Sequence, residues 1–328
     1  VFYNKMILEL IPQYKEKLIE ELSKWNIWIK SQLHKELAEF YPNGAREEVP
    51  IAYLWARQIK CEGPGCGCEI PLIRTLRLIR DKKQPIGLKI TALNKEKQLK
   101  FEIVTDDESI SSGTIKRGAA ICPCCGCTTP VESVRKQLRN HAGGTDNARM
   151  FCVVTIKKGS KGRSYRVPTE IDLKAFHKAQ EKLREKIRTN KDIVPNESLP
   201  VPLPGKSGTM GIGLQGYGIQ TWGNVFNSRQ ALAHVIFIEL SKKYLNSFSF
   251  GDDNFKRAFE GTICLVLNRL VDLNSSLCGW QLNTPNTAHT FVRWALNIMM
   301  DYGEINPLAG AGGSLDSVMR RILSGIRD

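Results

Sequence analysis

The sequence predicts an α+β protein in which a cysteine-rich β module lies between helical segments. The amino-terminal region repeats apolar residues at spacings of three and four, which is typical of an amphipathic helix. Residues 88–92 and 99–103 alternate apolar and polar side chains, as the strands of a hairpin do, and a cysteine cluster stands on either side of them. After residue 217 the chain contains long apolar segments of helical length.

The first helix is predicted from residue 12 to about residue 40, with Pro12 in its first turn. We expect its apolar stripe to face a core rather than a partner. The stripe consists of Tyr14, Leu18, Leu22, Trp25, Ile29 and Leu33. Residues 1–60 are therefore assigned to a helical segment.

Two hairpins are predicted after this segment. Residues 61–127 contain the first, with its turn at 94–97. Residues 128–192 contain the second, formed by 151–156 and 164–167 around a basic, glycine-containing tip. A charged helix follows to about Thr189, and Thr169 with Asp172 resembles the capping box of its first turn.

The carboxy-terminal part begins with a linker over residues 193–216, where prolines and glycines are frequent. Residues 217–328 are predicted to be mostly helical. Helices are expected near 228–246, 255–273 and 287–302, and a last helix is expected to begin near Ser314.

The charge of the chain favours a polyanionic partner. Its 328 residues carry a formal net charge of +14, and nucleic acid is the first candidate for such a partner. There is no run of about 18 apolar residues and no signal peptide, so we expect no membrane contact. A chain that opens without an initiator methionine is expected to be a fragment or a processed product.

Ten cysteines occur in the chain, and their clustering indicates metal binding in a reducing cytoplasm. Cys61 and Cys66 form one loose knuckle, and Cys122 and Cys125 form a C-P-x-C-G knuckle. Zinc prefers four thiolates in a tetrahedron, and two tight turns can each supply two of them. We therefore predict a zinc-ribbon module with Zn²⁺ bound by Cys61, Cys66, Cys122 and Cys125. Because the protein fills every position, the metal is expected to be structural.

Other interpretations of the cysteines remain open. Cys124 and Cys127 repeat the spacing of Cys122 and Cys125, but the latter pair has the adjacent proline and glycine. Cys68 is a further spare thiol. A redox Cys-x-x-Cys pair lacks its usual strand–helix context, and an iron–sulfur cluster is the remaining alternative. The cysteines in apolar surroundings, expected to be buried thiols, are Cys152, Cys264 and Cys278.

The basic hairpin is the candidate nucleic-acid contact. A lysine- and glycine-rich tip can follow phosphates without reading base sequence, although a solvated hairpin is an equal alternative. The candidate residues are Lys157, Lys158, Lys161, Arg163 and Arg166.

Several strings, taken in order, resemble one protein family. The strings are AYLWAR at 52–57 with IKC at 59–61, CGCEIPL at 66–72, YGIQTWGNVF at 217–226, LNRL at 267–270, NSSLC at 274–278 and EINP at 304–307. As a set they resemble the zinc-ribbon-containing adenine-specific DNA methylases, across nearly the whole chain.

That resemblance implies methyl transfer from S-adenosylmethionine to the exocyclic amine of adenine in DNA. It also implies a doubly wound, Rossmann-like core with a glycine-rich cofactor motif and an Asp-Pro-Pro-Tyr motif that holds the flipped base. The Asp-Pro-Pro-Tyr motif does not occur, and the nearest string, Asn306-Pro307-Leu308, lacks the second proline and the aromatic residue. The phenylalanine-glycine cofactor loop followed by an acidic strand end is also absent. A G-x-G-x-x-G string at 211–216 follows a proline-rich linker rather than a strand, so we interpret it as a flexible loop. No catalytic residue can therefore be carried over.

We accordingly expect this chain to be the central, target-recognition insert of such an enzyme, inactive alone. Its expected partners are DNA and a methyltransferase core in trans. Two alternatives remain: a non-enzymatic zinc-ribbon nucleic-acid-binding protein, and a scaffold subunit that completes a split methyltransferase.

Overall fold

The computed structural model describes residues 2–44, 48–81, 83–93, 96–157, 162–200, 213–292 and 296–328. Helices and small antiparallel sheets alternate along the chain, which confirms the α+β prediction. None of the helices in these ranges combines the length and apolar character that crossing a membrane requires.

The helices are α1 (Phe2–Lys5), α2 (Ile11–Leu37), α3 (Val131–Arg139), α4 (Glu170–Thr189), α5 (Ser228–Ser247), α6 (Asp253–Leu273) and α7 (Leu315–Arg327). The strands are β1 (Glu48–Ala56), β2 (Gln58–Lys60), β3 (Glu69–Pro71), β4 (Gly87–Leu93), β5 (Gln98–Val104), β6 (Ile115–Lys116), β7 (Ala119–Ile121), β8 (Thr128–Thr129), β9 (Arg149–Lys157), β10 (Ser164–Arg166), β11 (Trp280–Gln281), β12 (Asn286–Thr287) and β13 (Asp301–Ile305).

The predicted first helix is confirmed as α2, but the helical chain begins earlier. A π-helical turn, Met6–Leu10, joins α1 to α2, and the N–H of Ile11 bonds to the carbonyl of Met6. Pro12 follows this turn, and a π-helical turn is one of the local adjustments found where a helix contains a proline. The predicted stripe is buried at Leu18, Leu22, Trp25, Ile29 and Leu33.

A four-stranded antiparallel sheet of order β10-β9-β1-β13 organises the fold. Side chains of β1 alternate between its faces, so Tyr53 and Trp55 pack against the layer formed by α2, α4, α5, α6 and α7. Leu54 faces the other side, where the β4–β5 hairpin contributes Leu88 and Phe101 to a second core. The sheet therefore lies between a helical layer and a hairpin.

This sheet takes its strands from three of the predicted segments. β1 lies within 1–60, which was assigned to helix, while β13 lies within 217–328. β9 and β10 form the predicted basic hairpin, with Tyr165 opposite Val154. The β4–β5 hairpin also forms as predicted, although residues 94 and 95 of its turn lie outside the described residues.

The helix predicted over 287–302 is wrong for the described residues of that range. The chain instead forms β12 and then runs past the end of α6 towards β13. Thr287 Oγ1 donates to the carbonyl of Leu273 at 3.0 Å, and the N–H of Thr290 donates to the carbonyl of Asp272 at 2.7 Å. These bonds to the end of α6 replace the bonds of a local helix. Residues 201–212 of the predicted linker lie outside the described residues.

A buried ion pair ties the helical layer to the sheet. The Nε of Arg229 on α5 lies 2.6 Å from the Oε1 of Glu304 on β13, and both side chains are fully buried. Glu304 also accepts hydrogen bonds from Trp55 Nε1 at 2.8 Å and Asn227 Nδ2 at 3.0 Å. The guanidinium of Arg229 stacks on the ring of Tyr53 at 4.0 Å. Because every partner is itself buried, none of these charges can be left alone without a large desolvation cost.

We expect Arg229→Met to lower the free energy of unfolding by about 3–5 kcal/mol, because Glu304 would remain buried without a counter-charge. Urea unfolding followed by tryptophan fluorescence measures the change. Lys256→Met is the matched control, since its pair with Glu260 is exposed and long at 3.9 Å. Equal losses in the two variants would contradict the importance of the buried pair.

Candidate metal centre

Each half of the cysteine site is a tight turn. In the first, the N–H of Cys61 bonds to the carbonyl of Cys68 at 2.8 Å, which joins the end of β2 to the start of β3. In the second, the N–H of Cys122 bonds to the carbonyl of Cys127 at 2.9 Å. Gly126 has a φ of +75°, a conformation that glycine adopts without strain. Each turn is therefore closed by a backbone hydrogen bond that begins at its first cysteine.

The structure brings the four predicted ligands together. The Sγ atoms of Cys61, Cys66, Cys122 and Cys125 all lie within 4.8 Å of one another. Cys61 and Cys125 are separated by 3.5 Å, and Cys66 and Cys122 by 3.8 Å. A zinc ion with sulfur at about 2.3 Å in a tetrahedron has ligand–ligand distances of about 3.8 Å. The cluster can therefore hold a metal ion, and these two separations are close to the edge of a zinc–thiolate tetrahedron.

Backbone amides support negative charge at this site. The N–H of Gly63 donates to Cys61 Sγ at 3.3 Å. The N–H of Cys127 lowers the pKa of Cys125 to about 6, whereas burial raises the pKa of the Cys61 thiol. Metal binding displaces protons from such thiols, and a divalent cation offsets the repulsion among the resulting thiolates.

Two of the spare thiols, Cys68 and Cys124, form with the shared Cys122 a second group that fits a metal less well. Cys68, Cys122 and Cys124 have Sγ atoms within 4.8 Å of one another, but Cys124 and Cys68 are only 2.8 Å apart. That distance is about 1 Å shorter than the edge of a zinc–thiolate tetrahedron. The spacing therefore favours the first group over the second.

A small core surrounds the turns. It consists of Ile59, Cys61, Cys68, Ile70, Leu72, Leu99, Ala120, Cys122, Val134 and Leu138. The helix α3 closes one side, because Gln137 bonds to both the N–H of Lys60 at 2.7 Å and its carbonyl at 3.0 Å. A core of this size contributes little by itself, so a bound metal would supply stability on the order of 10 kcal/mol.

Sequence reasoning missed the residue that joins this module to the rest of the fold. Arg57 lies just before β2 and is fully buried. Its guanidinium donates to the carbonyl of Met299 at 2.8 Å, to the carbonyl of Gly143 and to Ser276 Oγ at 2.9 Å. Burial lowers the pKa of Arg57 to about 10, which still leaves it cationic at neutral pH. No local pattern marks an arginine as buried, although it ends an apolar run.

Three of the five basic residues predicted to contact nucleic acid lie within the described residues of the basic hairpin. Lys157 at the end of β9 and Arg163 before β10 are exposed. Arg166 forms a bidentate ion pair instead, since its two terminal nitrogens donate to Asp172 Oδ2 at 2.6 Å and Oδ1 at 2.9 Å. Lys158 and Lys161 lie outside the described residues. Arg166 therefore braces the start of α4, where the predicted capping box of Thr169 and Asp172 is present.

The remaining thiols differ in exposure. Cys152 and Cys278 are buried as expected, whereas Cys264 lies exposed on α6, so that prediction is wrong. An apolar sequence context indicates a helix that packs, but not which of its faces a given residue occupies.

We expect serine substitution of Cys61, Cys66, Cys122 or Cys125 to abolish zinc binding, because each removes one of the four tetrahedral thiolates. Elemental analysis of the purified variants measures the metal content. Cys124→Ser and Cys127→Ser should retain zinc, and Cys264→Ser is the control for loss of an exposed thiol. Loss of metal from the Cys124 or Cys127 variant, with retention by Cys122→Ser, would contradict the ligand assignment.

Comparison with known proteins gives no match. Neither a protein-family model, a curated protein nor a solved structure matches the chain. Its function must therefore be inferred from its own residues and their geometry.

Proposed function

We propose that this chain binds DNA and forms the target-recognition part of an adenine-specific DNA methyltransferase that uses S-adenosylmethionine. In this proposal the cysteine cluster holds a structural Zn²⁺ ion. One observation carries the assignment: four of the strings on which the family resemblance rests, at 52–57, 217–226, 274–278 and 304–307, are linked by buried hydrogen bonds.

The first and last strings meet directly. Trp55 Nε1 donates to Glu304 Oε2 at 2.8 Å, across 249 residues of sequence. The N–H of Asn306 donates to the carbonyl of Ile51 at 3.0 Å, and the Nδ2 of Asn306 donates to the carbonyl of Pro50 at 2.8 Å. The two ends of the resembling region thus form one structural unit.

Two of the intermediate strings, at 217–226 and 274–278, join the same unit. Arg57 binds Ser276 Oγ at 2.9 Å, and the N–H of Ser276 donates to the carbonyl of Val225 at 2.8 Å. The Oδ1 of Asn274 accepts the N–H of Ile305 at 2.9 Å. These four strings therefore share one buried part of the fold, which is consistent with the family resemblance.

The chemistry of the site supports a binding role for the chain itself. A site with four thiolates has no open position for a catalytic water, so the metal would stabilise the module. The net charge of +14 suits contact with phosphates. We assign no residue of this chain to S-adenosylmethionine or to methyl transfer, because the sequence contains no Asp-Pro-Pro-Tyr string.

A non-enzymatic nucleic-acid-binding protein is the second candidate. The all-cysteine site favours this second candidate as strongly as it favours the methyltransferase part. A structural zinc module needs no catalytic core to fold or to bind nucleic acid. A subunit that completes a split methyltransferase differs from both, because methyl transfer would appear only when a core polypeptide is added.

We expect the purified chain to bind duplex DNA with an affinity that falls steeply as salt rises, since phosphate contacts release counterions. Fluorescence anisotropy with a labelled duplex over a salt series measures the effect. The chain alone should transfer no methyl group from labelled S-adenosylmethionine to the same duplex.

Two results would contradict the proposal. Absence of salt-sensitive DNA binding would contradict the recognition role. Methyl transfer by the chain alone would contradict the proposal that a separate catalytic core carries out the reaction. The metal-deficient Cys61→Ser variant is the control for the contribution of the zinc module to binding.

A further inference from the structure

A basic cavity of about 360 Å³ lies away from the cysteine cluster, where four parts of the chain meet. Arg163 enters it from the basic hairpin, Arg269 from α6, Asn286 from the β11–β12 hairpin and Arg321 from α7. Its volume is at the lower end of the range of small-ligand sites, about 300–1,000 Å³. Among the described residues that line it, none is acidic.

The charges around the cavity are not balanced. Arg269 NH1 lies 3.0 Å from Asp272 Oδ2, and His289 Nδ1 lies 2.7 Å from the same oxygen. One carboxylate therefore serves two basic side chains. Arg163 and Arg321 are exposed and have no ion-pair partner within the described ranges. The cavity consequently keeps an excess of positive charge.

Neutral groups complete the lining. Gln281, Thr284 and Asn286 come from the β11–β12 hairpin, and Ser317 comes from the first turns of α7. The amino-terminal end of α7 lies at this lining, and its dipole favours an anion. Asp316 in that turn is paired with Lys30 at 2.6 Å. Hydroxyl and amide donors around several guanidinium groups are the set that phosphate oxygens prefer.

We propose that this cavity binds a backbone phosphate of the DNA strand, with Arg163 and Arg321 as its principal contacts. The proposal rests on the DNA-binding function proposed above and assigns that contact to particular residues. Arg163 belongs to both the basic hairpin and the cavity, so a strand that follows the hairpin reaches the cavity next. The contact fixes position on the strand and reads no base.

Arg163→Ala and Arg321→Ala test this assignment, with Arg320→Ala as the matched control. Arg320 is exposed on the same helix but does not line the cavity. We expect each cavity variant to weaken binding of the labelled duplex and to reduce the salt slope by about one. Arg320→Ala should change both quantities less. Unchanged far-UV circular dichroism would show that the variants fold.

Each outcome separates this inference from the proposed function. Salt-sensitive binding by the unaltered chain that the cavity variants do not change would overturn the cavity assignment alone. No binding by the unaltered chain would overturn the proposed function and this inference with it. A nucleoside monophosphate that binds as tightly as the duplex, and loses affinity in Arg321→Ala, would assign the cavity to a free phosphorylated ligand and overturn the strand contact.

Discussion

Four thiolates packed within one tetrahedron repel one another unless a cation lies among them, and this constraint governs the metal centre proposed for the cysteine module. Its two halves are 56 to 64 residues apart in sequence yet hold sulfur atoms 3.5 to 3.8 Å apart. The core beneath them is small, and short strands of two or three residues supply little cooperative hydrogen bonding. A metal that joins the halves would therefore fix the register of β2, β3, β7 and β8 at once.

The module is joined to the main sheet through buried polar groups as well as through apolar contacts of the β4–β5 hairpin, which contributes to both cores. Arg57 follows the last residue of β1. Its side chain donates to the carbonyls of Met299 and Gly143 and to Ser276 Oγ, so it fixes three distant segments. Arg229 and Glu304 play the corresponding part between the sheet and α5. Because buried charges tolerate few alternative partners, these contacts specify the arrangement more than they stabilise it. That division would suit the recognition role proposed for the chain, which requires a surface held in one geometry.

Periodic segments and cysteine spacing were predicted well from the sequence, since their signals are local. The apolar stripe from Leu18 to Leu33, the alternation of Leu88 and Ile90, and the capping box at Thr169 each depend on neighbours within a few residues. The four candidate ligands were identified because metal chemistry restricts both residue type and spacing.

The remaining features depend on distant contacts. The strand β1 is buried on both faces, so its apolar run lacks the alternation that marks a half-exposed strand. The burial of Arg57 and Glu304 depends on partners more than 200 residues away, Ser276 for Arg57 and Trp55 for Glu304. The basic cavity likewise combines Arg163 with Arg321, which no local pattern relates. Such sites become visible only when the chain is folded.

X-ray absorption spectroscopy at the zinc edge tests the metal centre most directly. A tetrahedral site of Cys61, Cys66, Cys122 and Cys125 predicts four sulfur atoms at about 2.3 Å and no nitrogen or oxygen ligand. A mixed sulfur and oxygen shell, or a fully folded protein that contains no metal, would contradict the four-cysteine metal centre.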